Sequence, residues 1–292
     1  MAKAKKTAET ENYKLGWLPD LPDARDFAYA APLKVMMNLP NLVSLKKLCP
    51  AVYSQGALGS CTANALGAAF QITQKIQKKS VWTPSRLFLY YNSRVSIHTE
   101  NSDSGAFLRD AVKSMNKQGL CKETDWTYDD RNQPGDKFTK KPPASCYKSA
   151  LSNQILTYQS LQKSLSVLQG CLAEGYPFAF GFSVYESFMS AEVKRTGIMP
   201  MPHISKERMI GGHAVLAVGY DNSKQAFLIR NSWGKQWGLD GYFYMPYAYA
   251  TGQMASDFWT IRSIEGRAEP KIKKVAVAKK KSAPKKKKAT AK

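Results

Sequence analysis

Cys61 follows Gly59 and Ser60 and opens a run in which Ala65, Ala68, Ala69, Ile72 and Ile76 recur at three- and four-residue steps. A thiol is a useful nucleophile at neutral pH only as the thiolate, and a helix start and a nearby imidazolium both favour that form. The chain holds three histidines. His98 lies in the polar stretch SIHTENSDSG and His203 in a Pro/Met-rich loop, whereas His213 follows two glycines and opens an apolar strand. An imidazole acting as base must be held in one orientation by a third group, and Asn231 carries a side-chain carbonyl of the right type. A developing oxyanion needs donors, which the Gln55 amide and the Cys61 backbone N–H can supply.

Each of these residues also has a plainer reading. Cys61 can be a small residue buried in a core helix, His213 a core histidine bonded to the backbone, and Asn231 a turn residue. The stretch NSWGKQWG from Asn231 to Gly238 is more specific. Its glycines bring backbone close while Trp233 and Trp237 wall off solvent, and Trp233 is placed to shield a His213–Asn231 hydrogen bond.

The elements that must position these groups fall into two sets. Helical periodicity runs from Cys61 to the polar stretch Lys78–Ser80, and again through Phe107, Leu108, Ala111, Val112 and Met115, with Gly119 as a stop. A third helix is expected from about Gln159, with Leu161, Leu165, Leu168 and Leu172 on one face and Gly175 ending it. After that the texture is strand-like at 177–184, 213–220, 226–231, 241–246 and 257–264. Helices first and strands second imply segregated α+β layers or two lobes.

Four ordered blocks, Gln55 with Gly59-Ser60-Cys61, then DSGAFLRDA, then Gly212-His213-Ala214, then IRNSWGKQWGLDGYFY, resemble the papain-like cysteine peptidases over residues 49–264. The His and Asn of that family stand roughly 130–150 residues beyond the cysteine, close to the spacing here. The resemblance implies an α+β, papain-like two-lobe fold, with an N-terminal helical lobe, a C-terminal antiparallel β-barrel-like lobe and the active site in the cleft between them. It implies Cys61 as nucleophile, His213 as general base and acid, Asn231 as its orienting partner and Gln55 as oxyanion donor. Gly59, Ser60, Gly105 and Gly212 would contact the bound peptide, and Trp233 and Trp237 would line the leaving-group side. Neither a metal nor a cofactor is expected.

Two positions depart from the family. Leu58 stands where secreted members place a disulfide cysteine, which agrees with a reducing compartment, and Thr62 stands where an aromatic residue usually follows the nucleophile. No long helical propeptide is found. In its place residues 13–48, with Pro19, Pro22 and Pro32, read as an extended arm. Its LPDLPDARDF stretch resembles cytosolic papain-like peptidases of microbes and large DNA viruses. Two roles fit the arm: a strap that only packs on the domain, or a segment that crosses the cleft and restrains activity.

The bulk composition agrees with this reading. Hydrophobic residues make up 43% of the 292, enough for one large core or two lobes. No apolar run is long enough for a membrane span, and the N-terminus has charges but no secretory core, so an intracellular, cytoplasmic or nuclear protein is expected, virion-associated if viral. Five cysteines are too sparse for a disulfide framework.

The formal charge of +21 is uneven, because Gly266 to Lys292 alone holds eleven Lys and one Arg against one Glu. This tail cannot bury a core and is expected to be disordered. Lys279, Lys280, Lys281, Lys285, Lys286, Lys287 and Lys288 could neutralise phosphates of a nucleic acid or other polyanion, form a nuclear address, or simply solubilise.

The expected organisation is therefore a basic N-terminus (1–12), an arm (13–48), a catalytic domain (49–265) and a Lys-rich tail (266–292). The function it implies is intracellular cysteine endopeptidase. An exopeptidase with a partly blocked cleft, or a weakly active papain-fold protein working through DNA binding, are the alternatives.

Overall fold

The computed structural model describes residues 13–265; the basic N-terminus and the Lys-rich tail, with its seven candidate polyanion lysines, lie outside the described residues. In chain order the first half contains β1 (Trp17–Leu18), α1 (Leu33–Met36), β2 (Leu42–Ser44), α2 (Cys61–Ile76), α3 (Arg86–Val95), β3 (Ala106–Phe107), α4 (Leu108–Lys117) and α5 (Ala144–Ala150). The second half contains β4 (Ile155–Ser160), α6 (Leu165–Ala173), β5 (Phe178–Tyr185), α7 (Ala191–Thr196), β6 (Met209–Asp221), β7 (Ala226–Arg230), β8 (Tyr242–Pro246), α8 (Tyr247–Thr251) and β9 (Ala255–Ile264).

Strands β4, β9, β5, β6, β7 and β8 form one sheet in that order, with β2 added against β6. All its pairings are antiparallel. The sheet is open, since β4 and β8 end it without pairing to each other; the lobe expected to be barrel-like is thus an open antiparallel sheet and not a closed barrel. Helix α2 packs against β6 and β9 on one side and α3 and α4 on the other. Every residue from Cys61 to Gln74 is buried, which explains the many alanines: a helix enclosed on all sides needs small residues where its neighbours come close.

Two expectations are corrected. The helix expected from Gln159 begins only at Leu165, capped by the Ser164 hydroxyl accepting from Val167 N. The residues before it, Ile155–Ser160, form β4 against β9, and Leu161 simply continues the apolar pattern across the boundary. The arm is not wholly extended either. Pro32 precedes the short α1, with φ −57°, because proline is compatible with a helix entrance although not with an interior.

The arm is tied to the domain by its acidic residues. Arg109 on α4 forms an ion pair with Asp26 at 2.6 Å and donates to the Leu21 carbonyl. The Arg109 backbone N–H, in the first turn of α4, points at the Asp20 carboxyl at 3.2 Å, the place where a helix start favours negative charge. Among the described residues no helix is long and apolar enough to cross a membrane.

Candidate active site

Cys61 is the first residue of α2, so its N–H is among those at a helix start with no partner four residues back. His213 lies on β6 opposite Phe182 of β5 and is fully buried, while His98 and His203 are exposed. The His213 Nε2 is 2.8 Å from Asn231 Oδ1. That oxygen also accepts from the Ser232 N–H at 2.8 Å, which fixes the amide with its carbonyl toward the ring. Because Oδ1 can only accept, the imidazole proton belongs on Nε2. Nδ1 then carries the lone pair, and it is buried without a hydrogen-bond partner. Trp233 stacks on the His213 ring at 4.7 Å between centroids and covers the pair from water.

Gln55 is locked from three sides. Its Oε1 accepts from Ser232 Oγ at 2.6 Å, its backbone N–H donates to Ser232 O, and its carbonyl accepts from Tyr128 OH at 2.9 Å. Arg230 anchors the approach to this loop by donating to the Pro50 and Ala51 carbonyls. With its oxygen occupied, the Gln55 side chain presents only N–H to the cleft, the donor an oxyanion requires.

Burial governs the titration of both reactive groups. It pushes the Cys61 thiol up to about 11, against backbone hydrogen bonds from Ala214, Gly16, Thr62 and its own amide. It pulls the His213 imidazolium down to about 4, with the Asn231 bond opposing. While the site is covered, burial thus favours the uncharged form of each group.

What covers it is the arm. Lys14 O accepts from Gln55 Nε2 at 2.9 Å, Gly16 N donates to Gly212 O at 3.0 Å, and Ala106 N donates to Gly16 O at 2.8 Å. Tyr13 stacks on Trp233 at 4.4 Å, and Lys14 pairs with the buried Asp103 at 2.7 Å. The approach is so close that a Cβ on Gly16 would lie 1.9 Å from Gly59 O, and one on Gly105 would lie 2.1 Å from Gly16 O.

The structure thus brings Cys61, Gln55, Gly59, Gly105, Gly212 and Trp233 against one chain segment, with His213 and Asn231 bonded to each other and Trp233 stacked on the ring. Ser60 and Trp237 are set back from it: the Ser60 hydroxyl bonds Tyr128 and Asn64, and Trp237 packs edge-on behind Trp233. Leu58 is fully buried, all five cysteines are free, and the Thr62 hydroxyl is buried without a partner.

Residues 42–260 match the pattern that defines the papain family cysteine proteases. The chain belongs to the papain family of cysteine proteases. An uncharacterized peptidase C1-like protein of Acanthamoeba polyphaga mimivirus is 37% identical over 282 residues, which cover 87% of this chain and 88% of that protein. The crystal structure of xylellain, a cysteine protease from Xylella fastidiosa, superposes with a TM-score of 0.81 at 44% identity, covering 85% of this chain and 96% of that one. A procathepsin B from Trypanosoma congolense shares the fold, with a TM-score of 0.69 at 16% identity and 87% of each chain covered. In this papain-family peptidase a further group of residues, Asp20, Asp103, Arg109, Gly181 and Asp257, holds or seats the arm, a role the sequence did not assign to them. Asp20, Asp103 and Arg109 lie inside LPDLPDARDF and DSGAFLRDA, stretches singled out for other reasons, and Gly181 and Asp257 lie inside expected strands.

Proposed function

We propose that this papain-family peptidase is an intracellular endopeptidase, held latent by its own residues 13–18. Cys61 is its nucleophile and His213 Nδ1 takes the thiol proton. The thiolate attacks the peptide carbonyl, and the oxyanion collects on Gln55 Nε2 and the Cys61 N–H. His213 then protonates the departing amine, and a water activated by the same imidazole hydrolyses the thioester. Asn231 holds the ring through both proton transfers.

The observation that carries the endopeptidase reading is the course of the arm. It passes from Trp233, on the leaving-group side, over Cys61 to Ala106 and Phe107 on the acyl side. A cleft that lets a chain continue past both sides of the nucleophile has no wall against which a free terminus would be gripped. The arm's direction is also not that of a substrate. A substrate must run from the acyl side toward the leaving-group side, whereas the arm runs the other way and pairs in parallel with β3. Its Lys14 carbonyl takes the oxyanion donor while its polarity is reversed.

Five free cysteines support residence in a reducing compartment, and the charge of the Lys-rich tail supports a polyanion tether. The endopeptidase reading is tested by comparing hydrolysis of peptides blocked at both ends with their free-terminus counterparts. Equal cleavage of blocked peptides is expected; an absolute need for a free terminus would replace the endopeptidase with an exopeptidase.

A further inference from the structure

The arm does more than cover Cys61; it fills a side pocket with Trp17. The indole lies over Gly181 of β5 and Gly212 of β6, and a Cβ on Gly181 would stand 1.9 Å from Trp17 Cε2 and 2.2 Å from its Nε1. At the pocket floor the Trp17 Nε1 donates to Asp257 Oδ2 at 3.0 Å. The same oxygen accepts from Asp20 N at 2.8 Å. All three wall residues sit on adjoining strands of the main sheet, with Gly181 paired to Ser256 beside Asp257. Gly212 immediately precedes His213. The walls of the pocket are therefore supplied by hydrogen-bonded strands of the main sheet and not by the arm.

When the arm leaves, Asp257 Oδ2 loses both of these donors at once, because Trp17 and Asp20 depart together. An acceptor left at the base of a flat apolar slot costs free energy until a donor returns to it. Arg109 stays nearby on α4 and acts on Asp257 electrostatically, so a second full cation is less welcome there than a neutral N–H. Gly16 lies against Cys61 and Trp17 is the next residue, so the slot receives the side chain one residue beyond the one being acylated. Resting on the peptidase reading above, we propose that Asp257 and Gly181 make this slot specific for tryptophan at the second residue on the acyl side of the cut bond. Gly181 supplies the depth for the bicyclic ring and Asp257 reads its N–H.

The test uses the full-length chain carrying Gly16→Val, in which the arm cannot lie down. Blocked peptides that differ only at the second acyl-side residue (Trp, Phe or Leu) are compared by kcat/KM. A charge-assisted hydrogen bond predicts a preference for Trp over Phe of roughly tenfold. Adding Asp257→Gly should bring that ratio near one; glycine suits the φ of 61° at this position. Adding Gly181→Ala should depress both aromatic peptides relative to Leu. Equal rates for Trp and Phe, or a Trp preference that survives Asp257→Gly, would overturn the specificity assignment while leaving the peptidase intact. Absence of turnover of every peptide, in a folded protein whose Cys61 still alkylates, would overturn the peptidase reading and the slot's role with it.

Discussion

Gln55 Nε2 donates to the carbonyl of Lys14, 41 residues earlier in the chain, at 2.9 Å. The donor suited to a substrate oxyanion is thus engaged by the protein's own backbone. The same few residues of arm put Gly16 on Gly212 and Tyr13 on Trp233. The consequences can be separated by mutation.

The arm lies against Cys61 only because residue 16 has no side chain. Gly16→Val would bring its Cβ within 1.9 Å of the Gly59 backbone oxygen, an overlap no rotamer can relieve. The variant should alkylate at Cys61 and cleave peptides at least tenfold faster than the parent chain, with little change in Tm. Unchanged reactivity in a folded variant would reduce the arm to a strap.

Docking of the arm should weaken as pH rises. Burial first, and then the Asp257 carboxylate, push the Asp20 carboxyl up to about 7, against the Trp259 and Arg109 contacts; Asp257 is itself raised, mainly by burial. A carboxyl raised in the docked state favours docking fully below the ordinary carboxylate pKa of roughly 4, and this contribution is lost as pH climbs through about 7. Cys61 alkylation in the parent chain, divided by that in Asp20→Asn, should therefore rise severalfold between pH 5 and 8. The division cancels the thiol's own titration, and a flat ratio would exclude Asp20 as the proton-linked group.

Gln55→Ala in the Gly16→Val background should lower kcat by about 10²–10³, while alkylation by a chloroacetamide, which builds no oxyanion, changes much less. Equal losses in both measurements would mean that the substitution had disturbed the cysteine and not the oxyanion site.

Binding to double-stranded DNA, measured on the full chain, should fall about a thousandfold between 50 and 200 mM salt if ~6 phosphates are contacted. Removal of Gly266–Lys292 should abolish it. Salt-independent binding, or binding that persists without these residues, would remove the tether.

Much of the site was legible in the sequence because its chemistry fixes residue types. A thiol, an imidazole and two side-chain amides are the types that the roles proposed for Cys61, His213, Asn231 and Gln55 call for, and Gly105 and Gly212 mark places where the arm's backbone comes close. The helix at Cys61 was equally clear, since small residues at helical spacing leave few other readings. The start of α6 was not, because Leu161 lies in phase with Leu165 although the chain between them is still leaving a strand. The arm's polarity and the Asp20–Asp257 contact were invisible for another reason. They pair residues 237 apart, and no local pattern records which carboxylate will meet which backbone N–H.

The most direct measurement is mass-spectrometric mapping of an irreversible thiol-peptidase probe on the Gly16→Val chain, with and without His213→Ala, under reducing conditions. Rapid modification confined to Cys61, and lost when His213 is replaced, is the expected result. Modification spread over Cys49, Cys121, Cys146 and Cys171, or unaffected by His213→Ala, would contradict an activated Cys61–His213 pair behind the arm.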